Sequence, residues 1–131
     1  MRFDWADFLA LAQALQSNPE VPGPQEAALR SAVSRAYYAA FHLVGDVARS
    51  EGWLPTYSGQ DHKGLPQDLR HSRYSTPLHR RIATQLERLC DDRRQADYDD
   101  SLSNPAFLAG TALTRADRVL KDLEALRSSG K

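Results

Sequence analysis

The segment Ala27–Ala48, AALRSAVSRAYYAAFHLVGDVA, is the longest uninterrupted helical pattern in the chain. Leu29, Val33, Ala36, Ala40, Val44 and Val47 recur every three or four residues, which draws one apolar stripe along a helix. Ser31, Arg35, Tyr38, His42 and Arg49 follow similar steps on the other side, a stripe that is polar but aromatic. Two usable faces predict a central helix, one face serving the core and the other a site or a second subunit. Ala36, Ala39 and Ala40 permit close helix approach, and Tyr38 and Phe41 supply contact area. The expectation is a homodimer with Tyr38, Phe41 and His42 at or near its interface.

Working outward, Pro24 sits where a helix start tolerates proline, and Gly52 marks the stop of the central helix. On its N-terminal side, Asp4 caps a first helix with Phe8, Leu11 and Leu15 as the apolar line, ending near Ser17-Asn18-Pro19. On its C-terminal side, residues 53–75 are irregular, broken by Pro55, Gly59, Gly64 and Pro66, although PQDLRHS can form a short helical turn. Ser75 or Thr76 followed by Pro77 opens the next helix, with Leu78, Ile82, Leu86, Leu89 and Cys90 inward. The pattern weakens over Asp91–Asp100. Asn104-Pro105 then opens the last helix, whose apolar line is Leu108, Ala112, Val119, Leu123 and Leu126. Asp117–Lys121 and Arg118–Asp122 are predicted i,i+4 pairs on its outer face, and the terminal SSGK is predicted to fray. No alternating strand-like run and no repeat occurs. The reading is one all-α domain over 1–131, an up-and-down bundle of four to five helices with an irregular basic loop at about 53–75.

Composition narrows the function classes. The 131 residues suit one core, and 17 basic residues balance 17 acidic ones. A non-specific nucleic-acid coat protein is strongly basic, so contact with nucleic acid must come from a local patch. The single cysteine, Cys90, reads as a small buried apolar residue in a reducing compartment. The N-terminus carries Asp4 and Asp7 within its apolar run, which is not a signal-peptide pattern, and no stretch approaches the ~20 apolar residues of a membrane span. A cytoplasmic protein without membrane contact is the expectation.

The local patch lies between His62 and Arg81. Lys63, Arg70, Arg73, Arg80 and Arg81 stand there against Asp68 alone, with His62, His71 and His79 among them and Tyr57 and Tyr74 nearby. Basic groups interleaved with aromatics bind phosphates and stack on single-stranded bases, which makes these five cations candidates for nucleic-acid contact; a solvated loop is the plainer alternative. The acidic run Asp91, Asp92, Asp97, Asp99 and Asp100 lacks EF-hand spacing and contains Arg93 and Arg94, so no metal site and no cofactor is assigned. Phosphate-binding glycine loops, paired Cys-x-x-Cys and His-Glu-x-x-His are all missing.

SRAYYAAFH on the long helix, followed by RRQADY at Arg93–Tyr98, resembles the HEPN superfamily. The likeness is to its prokaryotic stand-alone branch with an R-x-YYA-x-F helix and an R-x-x-ADY segment, and it spans Ala27 to Tyr98. The resemblance implies a small helical bundle that dimerises. It also implies metal-independent ribonuclease chemistry or a role in defence and toxin–antitoxin systems, in some cases beside a nucleotidyltransferase-like partner. The family's catalytic arginine is followed by a histidine after four to six residues. Arg93 matches the arginine, while Tyr98 stands in the histidine's place, and a phenol titrating near ~10 is a poor general base at neutral pH.

Two roles for the motif residues follow. In the structural one, Arg35 pairs with Asp97 across the two motif helices, with Tyr37, Tyr38 and Phe41 packed around them. In the catalytic one, Arg93 meets the phosphate charge and His42, His71 or Tyr98 serves as acid or base. The resulting expectation is an RNA- or nucleotide-binding interaction module without efficient catalysis. A ribonuclease is the first alternative, and a structural dimer without nucleic-acid contact is the second.

Overall fold

The apolar stripe of the central helix is buried along its whole length. Leu29, Val33, Ala36, Ala40, Val44 and Val47 all lie in the core of the computed structural model, which describes residues 3–17, 25–52, 64–71 and 75–129. Five helices follow in order: α1 (Ala6–Ser17), α2 (Gln25–Ser50), α3 (Gly64–His71), α4 (Pro77–Tyr98) and α5 (Pro105–Ser129). They pack as an all-α bundle with no strand among the described residues. α2 is central and touches α1, α4 and α5, while α3 rests on α4. No helix of the described residues is long and apolar enough to cross a membrane.

Burial on α2 extends beyond one stripe, since Ala32, Tyr37, Ala39, Phe41 and Ala48 are buried as well. A helix apolar around most of its circumference belongs inside a core. Ala36, Ala39 and Ala40 therefore serve packing within the bundle rather than an approach between subunits. α5 meets α2 with its own line of buried small residues, Ala109, Ala112 and Ala116. Small residues on both helices let the backbones come close.

The helix ends follow local chemistry. The Asp4 carboxylate accepts the Ala6 N–H at 3.0 Å, and the Asn104 side chain accepts the Phe107 N–H at 3.0 Å. Gly52 ends α2 at φ 72°, the left-handed conformation in which a Cβ is disfavoured. At the start of α4, Thr76 and His79 form a reciprocal capping box. The Thr76 hydroxyl accepts the His79 N–H at 3.4 Å, and His79 Nδ1 accepts the Thr76 N–H at 3.2 Å.

Three details differ from expectation. Leu11 is exposed, because the inward arc of α1 centres on Leu9 and Ala12, flanked by Phe8 and Leu15, and leaves Leu11 at its margin. α4 stays helical to Tyr98 where the apolar pattern fades. There Ala96 is buried, Asp91 pairs with Arg94 at 3.5 Å, and Asp97 pairs with Arg93 at 3.4 Å. Asp117–Lys121 forms on the outer face of α5 at 2.9 Å, but the expected Arg118–Asp122 pair does not. Asp122 is turned inward and takes a two-pronged contact from Arg81 of α4, at 2.9 Å from Nε and 2.7 Å from Nη2. A buried carboxylate demands a strong partner, and the fork of Arg81 supplies both bonds.

His79 generates a prediction. Burial, followed by the charge of Arg80, holds its imidazole below the usual value of about 6.5. The unfolded chain then binds the proton that the folded chain refuses. This contribution to stability is complete above the unfolded value and is lost as pH falls through about 6.5 towards the folded one. Melting temperature is expected to drop over that window. His79→Gln, a neutral residue suited to the same capping position, should flatten His79's share of the drop in melts run across pH.

Candidate functional site

The two segments that carry the resemblance meet in space, although about 55 residues separate them in sequence. α4 runs antiparallel to α2, and its last two turns lie along the tyrosines. The Arg93 guanidinium carbon sits 5.3 Å from the centre of the Tyr37 ring and 5.8 Å from that of Tyr38. Only 12% of the Arg93 side chain is exposed. Its Nη1 reaches Asp97, one turn on, at 3.4 Å, and its Nε is buried without a hydrogen-bond partner. Burial works against the Arg93 charge. Hydrogen bonding to Cys90 and Tyr98, with the nearby Tyr38 hydroxyl, favours it, and the net direction is upward, so the group is a permanent cation. Tyr37 is buried beneath it. Desolvation, then the neighbouring Cys90 thiol, pushes its phenol far above the ordinary range, and it remains a protonated hydroxyl.

The expected Arg35–Asp97 pair does not form. Arg35 is exposed, and its guanidinium lies over the Phe8 ring of α1 at 5.0 Å. Both residues belong to the site, but each has a different partner. Arg93 takes Asp97 because an i,i+4 partner within one helix needs no approach of two backbones. Arg35 lies on the side of α2 that faces α1.

The aromatic start of α1 packs on that same side. His42 is stacked under Trp5 with ring centres 3.7 Å apart and planes 14° from parallel. Trp5 and Phe8 meet edge-on at 5.3 Å, and Phe3 meets them at 4.9 and 5.2 Å. Phe41 is core, stacked on Tyr37 at 5.7 Å. The start of α1 therefore covers one face of His42, while Ser31, Arg35 and Arg49 of the same stripe stay exposed.

The basic candidates separate. Lys63 and Arg73, with Tyr57, Tyr74 and His62, lie outside the described residues. Arg70 is engaged by Glu87 at 2.5 Å and Thr84 at 2.8 Å, and Arg81 by Asp122. Arg80 and His71 are exposed. His79 is a buried cap. The cluster read as a phosphate-binding patch thus has two of its five cations already paired with carboxylates. Among the described residues no three His, Cys, Asp or Glu side chains come together as a metal site. The acidic run is dispersed instead, with Asp92 buried against Arg115 at 2.6 Å. Burial pushes the Asp92 carboxyl up, and Arg115 only partly offsets this.

Arg30 escaped the sequence reading. From the first turns of α2 its Nη1 donates to the carbonyls of Ala96 at 2.9 Å and Asp99 at 2.6 Å, and its Nε donates to Glu26 at 2.9 Å. It satisfies carbonyls left open where α4 ends, and a cation is favoured at that end of the helix dipole. Trp5 also escaped, since its position over His42 depends on how α1 docks. Compared with known proteins, the chain matches no family model, no curated protein and no solved structure.

The two arginines of the motif should respond differently to truncation. Arg93→Ala removes a nearly buried cation and leaves Asp97 without its partner, with an expected cost of about 2 kcal/mol. Arg35→Ala loses one exposed cation–π contact, worth at most about 1 kcal/mol. Denaturant melts of the two variants check the order, and a larger loss for Arg35→Ala would contradict the assigned partners.

Proposed function

We propose that this chain is a HEPN-like helical module that binds RNA or a nucleotide and does not cleave it efficiently. The observation that carries this reading is the use made of the motif residues. Arg93 is nearly closed to solvent between the tyrosines and Asp97, and one face of the His42 ring is covered by Trp5. A general acid or base needs hydrogen-bond reach to a substrate atom, and these side chains are instead committed to packing. The meeting of the YYA and ADY segments supports the resemblance itself, because residues that define it in sequence form one physical unit. A defence or toxin–antitoxin setting, with a nucleotidyltransferase-like partner, rests on the resemblance alone. A homodimer, with residues near Tyr38, Phe41 and His42 at or close to its interface, belongs to the same reading.

The ribonuclease reading draws on one specific feature, the place of Tyr98 at the end of α4 just past Arg93, with 73% of the residue exposed. Tyr98→Phe removes only the hydroxyl and leaves the packing intact, so it separates chemistry from stability. The expected outcome is that purified wild type leaves labelled single-stranded RNA intact under metal-free conditions, and that Tyr98→Phe melts within a degree or two of it. Cleavage by wild type that disappears in Tyr98→Phe, with melting unchanged, would replace this reading with the catalytic one.

A further inference from the structure

The ion pairs Arg81–Asp122 and Asp92–Arg115 join α4 to α5 and set the two helices antiparallel. Between these rungs lie Arg88 of α4 and Arg118 of α5, both exposed and without an acidic partner among the described residues. Asp122, one turn from Arg118, is already held by Arg81. Both arginines line a groove of about 610 Å³ between the helices, and Arg115 lines it with them. The lining of this groove thus carries three guanidinium groups and no carboxylate. Like charges in one groove repel, and the bundle supplies no counter-charge to Arg88 or Arg118.

The other end of the groove is apolar. Phe107, in the first turn of α5, lines it with 70% of the residue in water. Phe107 and Arg118 share one face of α5 but stand eleven residues apart, roughly 16 Å along a helix axis. Thr111 and Thr114 lie between them on the same face, short enough to let another backbone come close. The charge also changes along this length. Phe107 borders a second cavity as well, and the exposed Asp99 lines that one.

We infer that this groove docks an amphipathic helix of a partner protein, with acidic side chains at the Arg88 and Arg118 end and a large apolar residue on Phe107. Charge complementarity selects the acidic end of the partner, and the exposed ring selects its apolar end. An occupant that touches both ends covers about three helical turns. A helix does so with its own backbone hydrogen bonds already made, and its anchors recur at steps of three and four. An extended peptide would lay unpaired N–H and C=O groups against two helices whose backbones are paired internally. A single strand of nucleic acid fits less well, because it carries a phosphate at every unit and meets the Asp99 carboxylate at the Phe107 end. The inference goes beyond the binding of RNA or a nucleotide and does not depend on it.

The test is selection of a displayed library of helical peptides, each roughly 18 residues or five turns long and randomised along one face, on the immobilised full chain. Selected peptides are then titrated by fluorescence anisotropy against wild type, Phe107→Ala and the double variant Arg88→Glu/Arg118→Glu. These are surface changes expected to keep the wild-type melting temperature. Arg88→Gln/Arg118→Gln removes the charges without adding acids, and keeps the test decisive if charge reversal disturbs the fold. Selected sequences should carry acids at one end and a large apolar residue about three turns away, and their affinity should fall with added salt. Phe107→Ala should weaken them about tenfold, and charge reversal by at least as much. A library that yields no binder, or binders unaffected by all of these variants, would overturn the inference. A uridine decamer that displaces the selected peptides and loses affinity in the same variants would overturn it in favour of nucleic acid. Self-association of wild type that the same variants abolish would overturn it in favour of a second copy of the chain.

Discussion

Arg93 carries a charge that cannot be discharged into a seam almost closed to water. Isolated burial of such a group is prohibitive. Here the charge is met by Asp97 one turn on and by the faces of Tyr37 and Tyr38. Much of the α2–α4 arrangement follows from this. α4 must remain helical through Asp97 for the i,i+4 contact to exist, and α2 must present two adjacent tyrosines at one level. Arg30 then closes the carbonyl end of α4 from the far end of α2. The antiparallel register of the two helices is thus held at two points by guanidinium groups on opposite partners.

α1 completes the opposite side of α2. Its aromatic start is a cluster of edge-to-face rings that lies over His42 and Arg35. Stacking of Trp5 on the imidazole and of Arg35 on Phe8 turns a polar, aromatic stripe into an internal contact. Helices of the same chain thus take the apolar face of α2 and part of its polar, aromatic one.

The α4–α5 face carries a different pattern. Its charges are not all neutralised locally, because two carboxylates, Asp92 and Asp122, are drawn inward and hold Arg115 and Arg81. Arg88 and Arg118, both exposed, have no acidic partner among the described residues. The net charge of zero over the whole chain hides this separation, since the balance is global while the field at a groove is local.

The sequence by itself determined the elements: periodicity gave the core stripe of α2, Asp4, Thr76-Pro77, Asn104-Pro105 and Gly52 marked helix ends, and the two motif segments could be recognised as a pair. These properties are local, set by spacing along one helix or by a cap within a few residues. The spacing of Phe107, Thr111, Thr114 and Arg118 was equally legible as a helix face, but not as one wall of a groove. Only the tertiary structure decided which charges meet. Arg35 and Asp97, and Arg118 and Asp122, were plausible pairs in the sequence, and neither forms. The docking of α1 set Arg35 over Phe8 and that of α4 on α5 set Arg81 on Asp122, and ion pairing falls away over a few ångströms in ways that residue spacing does not encode.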